Sequence, residues 1–392
     1  MKRRIELRFL HTADWHVGKT LRGHNRTEEH RAVLEEIVAI AEDQTIDIVL
    51  VAGDLFDSAA PSPEAEKVVY NALLGLAKVA EHVLVIPGNH DNPRRLEAVQ
   101  PLLKLTNIHV SPILSRPENG GVITIETKGG ESAQVAFFPF LSQRGIIRAQ
   151  ELMEKDAAEH SQAYAERATR IIARLCEGFS NDTVNIFMGH AMLQNGVLGG
   201  GERQAHTIFE YGIPTSAFPS TLHYAALGHL HRAQKLAGVC PIWFSGSPLQ
   251  LDFSETEDSK SVNIIEAEPG LPAQVESHPL QSGRHLRTVR GTPEVLAART
   301  EEFGDDYLRV EVDSAPFPGL ADQIREMFPN VIDVRILAQK ADSKETPDKG
   351  PRLGRSPQDL FTEYLKERGE DNDELKVLFS ELLEEVYASD ET

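Results

Sequence analysis

The chain has 392 residues, 41% apolar and 26% charged, the balance of a water-soluble globular protein too long for one ordinary core. No apolar run reaches the roughly 18 residues of a membrane span, and the basic start, Met1 to Trp15, is interrupted by Glu6, Arg8 and Asp14 before it forms a secretory signal, so a cytoplasmic protein is expected. The formal charge of −20 argues against nucleic acid only when taken whole, because Pro357 to Thr392 holds 12 acidic residues against 3 basic ones and bound metal would add positive charge where phosphate must sit.

In chain order, an extended segment from Arg4 to Phe9 leads into His11-Thr12-Ala13-Asp14-Trp15-His16. Val33, Leu34, Ile37, Val38 and Ala41 give Glu28 to Asp43 the spacing of an amphipathic helix. Asp47 to Val51 is an apolar strand ending at Gly53-Asp54, and a second helix is expected from Pro63 to Glu81. The next strand, from Val83, ends in Pro87-Gly88 and then presents Asn89, His90 and Asp91. This is β-α-β-α-β with polar residues after each strand, and such sheets place ligands at the carboxyl ends of their strands.

Arg94 to Leu105 reads as a helix, Ile108 to Val110 as a strand, and Gly121 to Phe140 as a hairpin turning near Gly129-Gly130. A helix from Ala163 to Phe179 leads to the strand Val184 to Met188, and a long Gly- and Pro-containing loop is expected between Leu198 and Phe218. The hairpin-like Ile242 to Leu251 and the strand Ser261 to Glu266 close the first unit, with a boundary at Glu268-Pro269-Gly270. A smaller unit follows, with strands at His285 to Val289, Tyr307 to Val312 and Val331 to Leu337 and helices from Pro293 to Glu302 and Leu320 to Phe328. None of its strands ends in a ligand set, so it reads as a structural cap or partner-binding module. Ala341 to Ser356 has linker composition. Beyond it, Leu360, Phe361, Tyr364 and Leu365, then Leu375, Leu378, Phe379 and Leu382, mark short amphipathic helices that dock on a partner or on the chain itself. The expected domains are 1–270, 271–340, 341–356 and 357–392. Cys176 and Cys240, the only cysteines, lie far apart outside any C-x-x-C pattern and read as buried free thiols.

Asp14, His16, Asp54, Asn89, His190, His229 and His231 each follow an apolar strand. Singly each would pass for a turn residue; together they offer carboxylate, imidazole and one amide with no thiolate, a mixture suited to manganese, iron or zinc and unsuited to calcium. Seven ligands exceed one tetrahedral ion and match two ions sharing a carboxylate. Asp14 with His16, and His229 with His231, stand two apart and in extended backbone would point the same way. Ala13 to Thr20 also fits a loose phosphate-loop pattern, but Asp14, Trp15 and His16 are wrong for a loop whose successive N–H groups face an anion, and no ATP site is expected.

The order D-x-H (Asp14, His16), G-D (Gly53, Asp54), G-N-H-D (Gly88 to Asp91), G-H (Gly189, His190) and G-H-x-H (Gly228 to His231) resembles the calcineurin-like metallophosphoesterases. Within these, TADWHVGK, GDLFD, ALGHLHRAQ, FSGSPLQLDFSE (Phe244 to Glu255) and the tail SPQDLFTEYL (Ser356 to Leu365) resemble the bacterial SbcD family of double-strand-break-repair nuclease subunits. The resemblance implies an α/β fold built as a four-layer α-β-β-α sandwich, a small α+β capping domain, and a helical tail that binds the coiled-coil base of an SbcC-like SMC ATPase. It also implies a homodimer that acts on DNA ends and hairpins beside the nucleoid, with 3′ to 5′ double-strand exonuclease and single-strand endonuclease activity. The implied cofactors are two manganese ions, with magnesium, iron and zinc as alternatives. Carried over by residue, one ion takes Asp14, His16, Asp54 and His231, and the other takes Asp54, Asn89, His190 and His229. His90 is then the catalytic histidine, serving the leaving 3′ oxygen, and Asp91 either orients it or stabilises the turn. Position 57 is Asp where the archaeal and eukaryotic branch tends to have His, which leaves no histidine in this loop to contact DNA. Two other readings remain at this stage. One is a phosphodiesterase or phosphatase on a non-DNA substrate, which metal ligands alone do not separate from a nuclease; the other is a DNA-end scaffold that does not cut.

Overall fold

The computed structural model describes residues 6–142, 157–202 and 212–337, with the side chains of 157–163 excepted, and pieces of the tail between 361 and 382. The first two residues of the expected strand from Arg4, part of the 198–218 loop, the linker 341–356 and most of the tail lie outside the described residues. The chain runs β1 (Leu7–Thr12), a short ribbon of β2 (Thr20–Leu21) and β3 (His24–Asn25), α1 (Thr27–Asp43), β4 (Ile48–Ala52), α2 (Pro63–Val79), β5 (His82–Ile86), α3 (Pro93–Leu103) and β6 (Ile108–Val110). It continues through β7 (Val122–Glu126), β8 (Ser132–Phe138), α4 (Ala157–Cys176), β9 (Val184–His190), β10 (Tyr224–Gly228), β11 (Gln234–Leu236), β12 (Ile242–Phe244), β13 (Ser261–Ala267) and β14 (Gln274–Pro279).

Two six-stranded sheets result, ordered β14-β13-β1-β4-β5-β6 and β11-β12-β10-β9-β8-β7. Alternation along the strands explains why they stack. Phe9, Ile48, Leu50, Leu84 and Ile86 of the first sheet meet Val135, Phe137, Ile186, Met188 and Ala226 of the second in one buried cluster. Their neighbours Leu10, Val49, Val51, Val83 and Val85 face the other way, into a cluster with Val33, Leu34 and Ile37 of α1 and Val69 and Leu73 of α2. On the far side, Ala136, Phe138, Phe187, Ala225 and Leu227 pack with Ala168, Ile172 and Leu175 of α4. Both faces of each sheet are covered, so the central strands read as continuous apolar runs. The architecture is the four-layer α-β-β-α sandwich expected from the sequence.

Local chemistry sets the helix starts. Ser62 accepts a hydrogen bond from the Ala65 N–H with Pro63 in the first turn, and Asn92 caps α3 ahead of Pro93. α3 therefore begins directly after the Asp91 loop, which keeps the Gly88–Asp91 turn short.

Three features differ from the sequence reading: the 268–270 boundary, the 242–251 hairpin, and the helix expected from Pro293 to Glu302, which ends at Ala297. The boundary at 268–270 falls in the turn between β13 and β14, and β14 pairs antiparallel with β13 from Gln274 to Pro279. Its largely exposed, polar alternation carried no strand signal. The expected hairpin 242–251 stops at Phe244, whose antiparallel partner is β11, three residues long. The smaller unit forms a parallel sheet of β15 (Leu286–Gly291), β16 (Tyr307–Val312) and β17 (Val331–Ile336), with α5 (Pro293–Ala297) and α6 (Leu320–Met327). Two contacts tie this cap to the 250–253 segment of the sandwich: the Leu286 N–H donates to the Gln250 side chain at 2.7 Å, and the Arg309 guanidinium lies 4.2 Å from the centre of the Phe253 ring.

Contacts group residues 1–338 as one compact unit and 339–392 as a second. Within the second, Phe361 stacks on Phe379 with ring centres 4.1 Å apart, while Tyr364, Leu375, Val377, Leu378 and Leu382 are exposed. Among the described residues no helix is long and apolar enough to cross a membrane.

Cys176 and Cys240 are both buried, as expected, and burial pushes each thiol up to about 12. The thiolate is the reactive form. Ellman's reagent at pH 8 is expected to detect neither thiol in the folded chain and both after denaturation.

Candidate metal centre

β1, β4, β5, β9 and β10 all end at the same edge of the sandwich, and their last residues or following loops carry the seven predicted ligands. Asp14, His16, Asp54, His190, His229 and His231 are all buried. The expectation that D-x-H and H-x-H pairs align because their backbone is extended does not hold. Asp14 (φ 54°), His16 (φ 48°), Asp54 (φ 50°) and His229 (φ 105°) occupy left-handed backbone, which costs a non-glycine residue of order 1–3 kcal/mol and persists only where the surroundings impose it. At Asp14, His16 and Asp54 a backbone zipper between two loops holds it: Asp14 N–H donates to the Gly53 carbonyl at 2.9 Å, His16 N–H to the Asp54 carbonyl at 3.0 Å, and Val17 N–H to the Leu55 carbonyl at 3.0 Å, while His229 N–H donates to the Asp14 carboxylate at 3.0 Å.

Glycine makes the convergence possible. A Cβ on Gly228 would overlap the Ala52 carbonyl oxygen, and one on Gly88 would overlap the main chain and carboxylate of Asp54. Both loops approach Asp54 and β4 more closely than a side chain permits.

The ligand atoms fall into two adjoining groups. His16 Nε2 and His231 Nε2 face each other at 3.1 Å, and Asp14, His16 and His231 form one candidate cation cluster. Asn89 Oδ1 lies 3.0 Å from His190 Nε2 and 2.8 Å from His229 Nδ1, and a second cluster joins Asp14, Asp54 and His190. Asp54 stands between them, its Oδ2 3.5 Å from both His16 Nε2 and His190 Nε2. The H-x-H pair is split, with His231 beside His16 and His229 beside Asn89. Asp14 is common to both candidate clusters, while Asp54 belongs to the second.

The electrostatics suit a cation. Burial pushes the Asp14 carboxyl up to about 7, even though His190 and His231 pull against it. Buried charge of this kind demands a counter-ion. Burial works against charge on Asp54 as well, yet His190 and His16 beside it hold its carboxyl well below the usual range. Three imidazoles have a hydrogen-bond acceptor at or near the nitrogen turned away from the centre. His190 Nδ1 donates to the Ala52 carbonyl at 2.8 Å, and Glu255 Oε1 is 3.1 Å from His231 Nδ1. His16 Nδ1 lies near Asp57. Such partners fix the ring and free the opposite nitrogen for metal.

Sequence reasoning missed Glu255. It is fully buried, accepts from Leu251 N–H at 3.0 Å and pairs with Lys260 at 2.8 Å. Burial alone would raise its carboxyl; Lys260 and His231 outweigh this and hold it well below the usual range. Its place in the 244–255 segment was the only signal. Also missed was Phe140, which stacks on His229 and stands edge-on to His190.

The structure separates His90 from Asp91. His90 lies edge-on to His16, with ring centres 4.6 Å apart, and its Nδ1 donates to the Asp57 carbonyl at 2.8 Å. Asp91 instead accepts from the backbone N–H groups of Leu55, Phe56 and Gly88 at 2.9–3.2 Å. These three bonds clamp the 55–56 segment to the Gly88 turn, the turn-stabilising alternative of the sequence reading.

Residues 7–233 match the calcineurin-like phosphoesterase family, and residues 282–369 match the type 5 capsule protein repressor C-terminal domain. The chain is 31% identical over 344 residues to the SbcD subunit of the SbcCD nuclease of Bacillus subtilis strain 168, covering 85% of this chain and 86% of that protein. It is 34% identical over 329 residues to the SbcD subunit of Rhodobacter capsulatus, covering 80% of each, and 27% identical over 303 residues to that of Escherichia coli K12, covering 76% and 74%.

Glu255→Gln keeps the shape of the side chain and removes its charge. Isothermal titration is expected to show manganese affinity falling by about 10–100-fold, as for other supporting-shell changes. Unchanged affinity would remove Glu255 from the metal centre.

Proposed function

Since the chain belongs to the calcineurin-like phosphoesterases, and within them to the SbcD family, we propose that it hydrolyses DNA phosphodiesters as the nuclease subunit of an SbcCD-type complex. The proposed activities are 3′ to 5′ exonuclease on duplex ends and endonuclease on single strands. The observation that carries the reading is the arrangement around Asp54, whose Oδ2 lies 3.5 Å from one imidazole of each ligand group.

The residues present fit a pair of divalent cations, with manganese proposed. Asp14, His16, Asp54 and His231 would hold one, and Asp54, Asn89, His190 and His229 the other. When bound, such ions lower the pKa of water and neutralise charge on a phosphoryl group. The chain's own contribution begins with His90. Its Nδ1 donates to the Asp57 carbonyl, and Nε2 is the ring nitrogen proposed to serve the leaving oxygen. General-acid help from a histidine placed this way is worth about 10²–10⁴ in rate. Asp91 keeps the Gly88–His90 turn against the 55–56 loop, which fixes His90 relative to Asp54. The His90 N–H also donates to Asp54 Oδ1 at 2.8 Å.

His90→Gln is expected to bind manganese like the parent chain while losing about 10²-fold or more of its cleavage of linear duplex DNA. Asp54→Ala is expected to lose both properties. Full DNA cleavage by His90→Gln would overturn its role, and turnover of bis-p-nitrophenyl phosphate without manganese-dependent cleavage of DNA would place the substrate elsewhere.

The family membership carries an SbcC partner with it. We propose that the tail is the dock, supported by the exposed Tyr364, Leu375, Leu378 and Leu382, and that two copies of the chain act within the complex. Removal of residues 357–392 is expected to abolish co-purification with the SbcC-type ATPase and to leave manganese-dependent cleavage by the isolated chain intact. A truncated chain that still co-purifies would place the dock on another surface.

A further inference from the structure

His231 is held at every polar atom except the one that faces the centre. Its N–H donates to Glu202 Oε1 at 3.0 Å, and its carbonyl accepts from the Ser247 N–H and from Lys260 Nζ, both at 3.1 Å. Its Nδ1 meets Glu255 Oε1 at 3.1 Å, and an ionised carboxylate only accepts, so Nδ1 carries the proton. Nε2 is left toward His16, in the candidate cluster those two histidines share with Asp14. A Cβ on Gly201 would overlap Glu255 Oε1 and crowd His231 Nδ1, so the main chain of the 201 loop closes over this pair.

The cation in this cradle is Lys260. Its side chain is only 9% exposed, and its ammonium has three acceptors: Glu255 Oε2 at 2.8 Å, Ser247 Oγ at 3.0 Å and the His231 carbonyl at 3.1 Å. Ser247 Oγ donates its own proton to the Leu249 carbonyl at 2.8 Å, so toward Lys260 it accepts. An ammonium has three donors, and here each has a partner. The backbone is fixed separately, because the Lys260 carbonyl accepts from the Leu280 N–H at 2.9 Å. Lys260 thus grips His231 twice, directly at the carbonyl and through Glu255 at the ring. The second group of ligands is set by other contacts: His190 by the Ala52 carbonyl, and Asn89 between His190 and His229.

From this we infer that Lys260 is a positioning residue for one of the two cation positions: it sets His231 for its ion, and the position at Asn89, His190 and His229 does not depend on it. The inference rests on the metal-centre reading above and adds to it a residue outside the ligand set.

Calorimetric titration of the full chain with manganese is expected to resolve two binding events in the parent. Lys260→Met keeps an unbranched stem and removes the ammonium; in it one event is expected to weaken by about 10–100-fold and the other to stay within about threefold of the parent. A residue that served the fold alone would move both events or neither. Electron paramagnetic resonance of the same samples gives a second readout, a coupled pair of ions in the parent and an isolated ion in the variant. Because Lys260 and Glu255 act through one linkage, Lys260→Met combined with Glu255→Gln is expected to show the same one-site loss, within about threefold of the weaker single variant and far from the product of the two losses. The double variant leaves no buried carboxylate without its cation, so it carries the test if Lys260→Met alone does not fold. Parental affinity at both positions, equal weakening of both, or losses that multiply in the double variant would each overturn the proposal. A parent chain that binds no manganese would instead overturn the metal-centre reading, and this inference with it.

Discussion

Burying the carboxylate of Asp54 is the constraint on which the rest of this molecule turns. The group sits where the two sheets come together, shielded from water, and an isolated charge there would cost more than a domain's whole stability. It survives because partners arrive from separate elements: the His90 N–H from the loop after β5, His16 from the loop after β1, and His190 from the end of β9. These contacts reach across both sheets, so the sandwich must close for the site to exist. The same closeness explains the glycines at 88 and 228, since any side chain there would hold the loops apart.

Much of the architecture was legible in the residues. Continuous apolar runs such as Ile48 to Ala52 and Val184 to Met188 announced strands covered on both faces, and the polar residues directly after them announced the site. The helix starts expected at Pro63 and Arg94 were equally local, and in the structure Ser62 and Asn92 cap them. What stayed hidden depends on distance along the chain. β14 is an exposed edge strand that exists because β13 offers it hydrogen bonds, and nothing in its own composition demands it. Glu255 stands 24 residues from the histidine it supports, and Asp57 stands 41 from His16.

Backbone conformation was misread for a different reason. D-x-H and H-x-H spacing suggested extended chain, in which alternate side chains share a face. Asp14, His16 and His229 lie instead in left-handed conformations that short-range propensity disfavours. The loop after β1 is held there by hydrogen bonds to the Gly53–Leu55 segment, so the strain is stored at the ligands and offset by pairing elsewhere. Asp91 shows the same principle from the other side. It follows Asn89 and His90 in sequence, yet its carboxylate is spent on three backbone amides, those of Leu55, Phe56 and Gly88.

The attachment of the cap has a mechanical side. Gln250 accepts from Leu286 of the cap through its side-chain oxygen and donates through its amide nitrogen to the carbonyls of Glu255, Thr256 and Asp258. Arg309 of the cap covers Phe253 within the same stretch. Residues 250–258 thus hold both the contacts to the cap, at Gln250 and Phe253, and the carboxylate beside His231, at Glu255. The seat of the cap and the carboxylate beside His231 therefore share one short stretch of chain.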